Sequence, residues 1–409
     1  MSTDPNGLKV SAAEVSGCAV LADALGHDVS SASKFLGEHG TPLGDFSGDI
    51  MQTLLSPLES FKTMTQSRFD DLSARNNYIG IELNRAAWMY HDTDKKNYDA
   101  LNENVAFCYL DPSVFDSEHG APAAADDYPS PAPYKAAEDI KLDPPATASE
   151  DIRKVIADSA GWLGDVDDAI AAVSGGWSPL DEAIKPIAGN WNELKRLGEA
   201  YKTAGEAVEN SGKNLQAGTK QLDPHWNGKA ANAFVEYSAR EVDAMVWEGP
   251  VGRVIKAGLE AVAEEIKKAA TEVVSNLAEM LKKEVELKDI KGVLKVVLKK
   301  VPVVGTAWQI YAIEEIIRQT AVRVMELVEQ IKELTEALQG FLAAVVDPGG
   351  AINEKFEDKL APITSKVKDT KKKYDLTMDI KNAADMDGPL HKPTENFSVG
   401  PGRDPWADA

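Results

Sequence analysis

Apolar residues recur along this chain in alternating steps of three and four, the spacing that lines one face of an α-helix. The first such seam runs through Val15, Cys18, Ala22, Leu25, Val29, Ala32 and Leu36. Its small members let a partner helix approach closely. Between Gly37 and Gly48 the pattern breaks at Gly40, Pro42 and Gly44. A second seam then passes through Phe69, Leu72, Asn76, Ile79, Leu83, Ala86 and Tyr90. Two matching seams joined by a loop predict a helical hairpin over residues 8–103, each stripe covering the other. We assign it to an N-terminal unit of residues 1–110.

Residues 111–149 change character, with Pro112, Pro122, Pro129, Pro131, Pro133, Pro144 and Pro145 among Ala and Asp. Such a stretch neither propagates a helix nor supplies a core, so the sequence predicts a disordered linker. Helical spacing returns near Asp151, with an interruption at Gly175–Pro179. A long seam follows: Leu194, Leu197, Tyr201, Ala204, Val208, Ser211, Leu215 and Leu222. It stops at Asp223-Pro224-His225-Trp226-Asn227-Gly228. The same face then resumes at Ala230, Phe234, Tyr237 and Ala244. This reads as a second hairpin, residues 150–249, turning at a Pro, a large aromatic and a Gly. Gly228 suits a backbone position of positive φ, and Trp226 puts a broad apolar ring with one N–H donor at the end of a bundle.

Gly249-Pro250 predicts a helix break. Beyond it, residues 250–346 carry one helix through Ile255, Leu259, Val262, Ile266, Ala270, Val273, Leu277 and Leu281. Another passes through Ile313, Ile317, Val324, Val328, Ile331, Leu338 and Leu342. Asp347-Pro348-Gly349-Gly350 should close the ordered part. The polar tail 347–409 is expected to be loose after a short helical piece near 351–374. The one β-branched run, Val293–Val304, is ambiguous. The predicted fold is therefore all-α: an elongated helical bundle of antiparallel hairpins, with a disordered linker and a loose tail.

Composition narrows the function. With 44 Lys and Arg against 66 Asp and Glu, the 409-residue chain carries a net charge of −22. No basic face is there to answer a phosphate backbone, so nucleic acid is not an expected partner. Two cysteines, Cys18 and Cys108, without a CxxC, rule out a disulfide framework though not one bridge. Cys18, on a helical seam, is read as a small buried hydrophobe. The first ten residues lack a basic region followed by a long apolar stretch, so no classical signal peptide is expected. The most apolar window, Val301–Ile313, is too short to span a membrane.

Catalytic signatures are missing. His27, His39, His91, His119, His225 and His391 form no metal-ligand spacing, and neither a nucleophile elbow nor a phosphate-binding loop occurs. The sequence points to a protein that is not an enzyme, with no cofactor and no metal. Tyr90 with Asp94 and Tyr237 with Glu241 are Tyr-x-x-x-acid pairs, each at i,i+4 on a helix. The spacing alone fits a half-buried Tyr followed by a solvated acid.

Taken together, these features resemble a known family. A hairpin with Trp226-Asn227-Gly228 at its turn is similar to the WxG family of type VII (ESX) secretion substrates of Actinobacteria and Firmicutes. The first hairpin, ending Trp88-Met89-Tyr90-His91-Asp92-Thr93-Asp94, resembles the PE-like or EspC-like partner, whose helices end in a Tyr-x-x-x-Asp/Glu secretion signal. Two such hairpins in one chain, joined by a Pro-rich linker, match the layout of fused PE–PPE-like substrates of the EspB type. The resemblance covers residues 8–103 and 150–247 and ends near Gly249. It implies a non-enzymatic substrate or secretion-associated structural protein that is exported folded and found outside the cell or at its surface. It also implies that Trp226 and Gly228 come close to Tyr90 and Asp94 at one end of the bundle, forming a composite surface. The implied partners are the secretion ATPase machinery, a chaperone and further copies of the chain. Tyr237 and Glu241, inside the second hairpin, are read instead as core and surface.

The alternative is a membrane-active effector or toxin built on the helices of 250–345. Lys288, Lys291, Lys295, Lys299 and Lys300 interleave with Val293, Leu294, Val296, Val297 and Leu298. A basic amphipathic helix of this kind can lie on an anionic membrane surface. The competing reading, which we weight more heavily, packs it on its neighbours with Lys stems covering apolar surface.

Overall fold

The computed structural model describes residues 9–101, 127–150, 152, 154–155, 181, 184–284, 304–350 and 356–399. For 93–101, 277–278, 280–284, 304–314 and 316–317 it describes the backbone alone. The described residues form a bundle of helices without a strand element; an isolated bridge joins Val10 to Trp226. The all-α expectation holds.

Helix α1 (Ala12–His39) starts where the Ser11 side chain accepts from the Glu14 N–H, satisfying one of the free donors of a helix start. Helix α2 (Asp49–Leu101) returns alongside it. The α1 and α2 seams read from the sequence are buried throughout, from Val15 to Leu36 and from Phe69 to Tyr90. Helix α3 (Trp191–Leu222) is capped by Asn190, whose Oδ1 accepts from the Asn192 N–H at 3.2 Å. Helix α4 (Lys229–Glu284) runs back along it. Helix α1 packs closely on α3, and helix α5 (Val304–Val346) lies against α4 and α2.

Three segments differ from expectation. Gly249-Pro250 does not interrupt α4, which continues through both residues. The glycine is there for a close approach: a Cβ at Gly249 would fall 1.8 Å from Glu209 Oε2 of α3. Packing against α3 thus outweighs the proline's missing donor.

The second half of the linker is an ordered strap. Residues 127–150 are extended, and amide side chains of the helices hold their backbone. Asn214 accepts from the Glu138 N–H at 2.7 Å and donates to the Glu138 carbonyl at 3.0 Å. Asn190 accepts from the Glu150 N–H at 3.1 Å and donates to the Ala148 carbonyl at 2.9 Å. Asn210 donates to the Asp139 carbonyl, and the Ala132 N–H donates to the Ala13 carbonyl. Proline removes donors from a strap but leaves its carbonyls available, and these are largely what the helices bind.

The tail also packs. After α6 (Phe356–Lys359) and α7 (Ala361–Lys366), helix α8 (Thr370–Ala384) and the turn α9 (Asp387–Leu390) lie on α4. Phe356, Leu360, Ile363, Leu376, Ile380, Phe397 and Val399 are buried in the common core. Spaced singly among charges, these apolar residues fall below what composition registers.

Candidate functional site

The turn between α3 and α4 is built residue by residue. Asp223–His225 tighten into a 3-10 turn with Pro224 in its first positions, where a missing N–H costs nothing. Trp226 is extended, and Gly228 has φ +101°, which any side chain would strain. The start of the chain then fastens this turn. The Ser11 N–H donates to the His225 carbonyl and the Asn227 N–H to the Lys9 carbonyl, both at 3.0 Å. The Lys9 N–H reaches Asn227 Oδ1 at 2.6 Å, and Lys9 Nζ reaches the Pro224 carbonyl at 2.5 Å.

These contacts aim the indole of Trp226 at the second helix of the other hairpin. Its Nε1–H donates to the Tyr90 hydroxyl at 3.1 Å, and the rings meet edge to face with centroids 6.3 Å apart. Both residues are 2% exposed. A buried indole N–H needs a partner, and Tyr90 is that partner. Burial raises the Tyr90 hydroxyl pKa, opposed by the bond from Trp226. Trp226 and Tyr90 therefore share one end of the bundle, but as a joint between hairpins rather than as a composite surface. What reaches solvent is the rim around the joint: Pro224, Asn227, Gly228 and Lys229 on the turn and His91 on α2.

Two further ring systems flank the joint. On one side Phe234 lies 5.8 Å from Trp226, and Phe397 of the tail lies 5.4 Å from both Phe234 and Tyr237. On the other, half-exposed Trp88 and Tyr128 and the exposed His91 form a mutually edge-packed trio, with centroids 5.4–5.9 Å apart. Phe397 and Tyr128 escape sequence reasoning because each is a single aromatic in a polar or Pro-rich stretch. The spacing Phe397-x-Val399, apolar at i and i+2, is the one local signal of an anchored extended segment.

Asp94 lies one turn beyond Tyr90 on α2, and its side chain is outside the described residues. The second tyrosine pair departs from expectation in one member. Tyr237 is core, donating to the Glu395 carbonyl at 2.9 Å. Glu241 is not on the surface: it is 0% exposed and meets Arg75 Nε of α2 at 2.7 Å. Burial pushes its carboxyl up to about 7, with Arg75 opposing that rise. Arg75 is held cationic by Glu241 and Asp71 against the cost of burial. A like pair joins α2 to α4 higher up, Arg68 to Glu248 at 2.7 Å. Helical spacing does not separate a carboxylate aimed at an arginine of another helix from one aimed at water.

Lys288, Lys291, Lys295, Lys299 and Lys300 lie outside the described residues. The described parts of the neighbouring helices bury the seam positions Ile255, Leu259, Val262, Ile266, Ala270 and Val273 on α4 and Val324, Ile331, Leu338 and Leu342 on α5, with Val328 partly covered, while Val322 and Met325 of α5 are exposed. No described helix is long and apolar enough to cross a membrane. Among the described residues no group of His, Cys, Asp and Glu is arranged to hold a metal. Cys18 is buried and free, its thiol pushed up to about 12 by burial, as suits a core residue. No protein-family model, curated protein or solved structure matches the chain.

Proposed function

We propose that this protein is a non-enzymatic substrate, or secretion-associated structural component, of a type VII secretion system, exported in its folded state. The observation that carries the reading is the bond from Trp226 to Tyr90, which links the two motifs of the resemblance across 136 residues. Neither hairpin alone can make that joint. The joint thus reports that both hairpins have folded and docked, a property that an apparatus exporting folded chains could read. In this reading Trp226 and Tyr90 set the shape of the bundle end, while the exposed rim and Asp94 are what the machinery contacts. The partners are the secretion ATPase, a chaperone and further copies of the chain.

The burial of the joint decides how the reading is tested. Trp226→Ala would unfold part of the core, so loss of export would not distinguish signal from stability. The informative variants are at the rim: Asn227→Asp, Lys229→Glu and His91→Ala, on full-length protein whose melting temperature is checked first. Culture filtrates of cells with and without a functional type VII ATPase are then compared. Export that depends on the ATPase and drops at least fivefold in a normally stable rim variant supports the proposal. Release indifferent to the ATPase, or stable rim variants exported like wild type, removes it.

A further inference from the structure

Beside the Trp226–Tyr90 joint, residues 391–399 of the chain lie against Phe234 and Tyr237 of α4 and Asp71 and Glu82 of α2. The His391 N–H closes turn α9 on the Asp387 carbonyl at 2.9 Å, and the residues after it are not helical. The segment crosses from α4 to α2 on a few anchors. Phe397 is buried between Phe234 and Tyr237, and Val399 is buried beside it. The Tyr237 hydroxyl donates to the Glu395 carbonyl at 2.9 Å, and the Val399 N–H donates to Glu82 Oε2 at 3.2 Å. Lys392 pairs with Asp71 at 2.7 Å, both side chains partly exposed. Tyr90, Trp226, Phe234 and Phe397 form a continuous series of rings in which the tail supplies the outermost member.

We propose that residues 391–399 are an intramolecular latch whose release uncovers the Phe234–Tyr237 face next to the joint and so adds that face to the exposed rim that the export machinery contacts. The inference rests on the export reading above for its purpose, but not for its mechanics. The nine residues bend at 391–392 and 394–395, and their anchors, buried Pro393, Phe397 and Val399 with the part-exposed Lys392–Asp71 pair, alternate with exposed residues. A segment with so few buried contacts per ordered residue opens locally without unfolding the bundle beneath. The helical part of the tail differs: Trp247 Nε1–H donates to the Ala383 carbonyl at 3.0 Å and Arg253 pairs with Asp379 at 2.9 Å, so α8 stays when the latch lifts. Beneath the latch, the Arg75–Glu241 pair ties α2 to α4, and Lys392 joins this cluster only at Asp71, on its α2 side.

Hydrogen exchange on the full-length protein tests the mechanics, with Phe397→Ala and, as a second variant that removes no core volume, Lys392→Glu. The expected result is exchange at least tenfold faster in 391–399 and in 232–240 for Phe397→Ala, a smaller increase for Lys392→Glu, and no change in α1 or α3. Exchange in 391–399 that is already as fast as in a free peptide, or acceleration spreading through α1 and α3, overturns the latch. Export then tests its purpose: Phe397→Ala should appear in the filtrate at least threefold faster than wild type. An unchanged rate, while the rim variants still lose export, overturns the latch's role in export and leaves the export reading standing. Rim variants exported like wild type remove that reading, and hydrogen exchange alone then judges the latch.

Discussion

At the scale of single residues, the joint is one donor, one acceptor and two rings, and its energy can be isolated. Tyr90→Phe keeps the ring and removes the acceptor, leaving the indole N–H buried without it, at a cost of about 1–3 kcal/mol. Trp226→Phe removes the donor together with part of the indole's volume, so it should cost more. Once either partner is gone the other change removes no bond, so the double-mutant cycle should return a coupling of about 1 kcal/mol. Denaturant unfolding of the four proteins measures it, and strict additivity would show that the bond contributes nothing. A second residue-scale effect is set by Glu241. Its carboxyl titrates near 7 in the folded chain and near 4.5 when unfolded, so the folded state holds the extra proton between those values. Stability from this group is fully present below the unfolded value and is lost as pH rises through the folded one. Relative to Glu241→Gln, the wild type should therefore lose melting temperature between about pH 4.5 and pH 7 and stay level above that. Arg75, Asp71 and Lys392 are the charged groups that act on it, Tyr237 is the titratable group that feels its charge, and all four are shared by both proteins.

Elements show which parts of the sequence could be read and which could not. The seams of α1, α2 and α3 are legible because each is a stripe of consecutive three- and four-residue steps, and every position named in them is buried. Gly249-Pro250 misleads because local propensity opposes the structure there: both residues disfavour helix, yet α4 passes through them to keep its backbone against Glu209. That conflict gives a prediction whose sign is opposite to propensity. In an open helix Gly→Ala would stabilise by roughly 0.5–1 kcal/mol. Here the added methyl would displace the Glu209 carboxylate, which also holds Arg253 at 2.6 Å, so Gly249→Ala should destabilise by about 1–3 kcal/mol. Thermal unfolding decides between the two signs. The strap was illegible for another reason. Its binding groups are backbone carbonyls, which every sequence has, and the residues that recognise it, Asn190, Asn210 and Asn214, lie on α3, far along the chain.

At the scale of the whole molecule, the candidate site could be read only in halves. Tyr90 and Trp226 each stand out locally, but their contact depends on how one hairpin docks on the other, and no periodicity encodes that. Docking uses three kinds of contact at once. Helices α1 and α3 approach closely and the strap bonds to both, through Ala13 and through the α3 amides. Helices α2 and α4 are bridged by Arg68–Glu248 and Arg75–Glu241. Lys9 to Ser11, preceding α1, clamp the α3–α4 turn itself. Each hairpin thus leaves carbonyls, carboxylates and an indole N–H that only the other satisfies, so a separated hairpin would expose paired groups on both sides. The two should unfold in a single transition. Far-ultraviolet circular dichroism and hydrogen exchange of α1 and α3 should then give coincident denaturant midpoints. Arg75→Ala leaves Glu241 buried without its cation, a loss of about 3–5 kcal/mol for a broken buried pair. If docking is obligatory, that loss lowers the midpoint of both hairpins equally, including α1 and α3, which Arg75 does not touch. Two separated transitions, or a shift confined to α2 and α4, would show that the hairpins hold their folds independently. The Trp226–Tyr90 bond would then report docking without reporting folding.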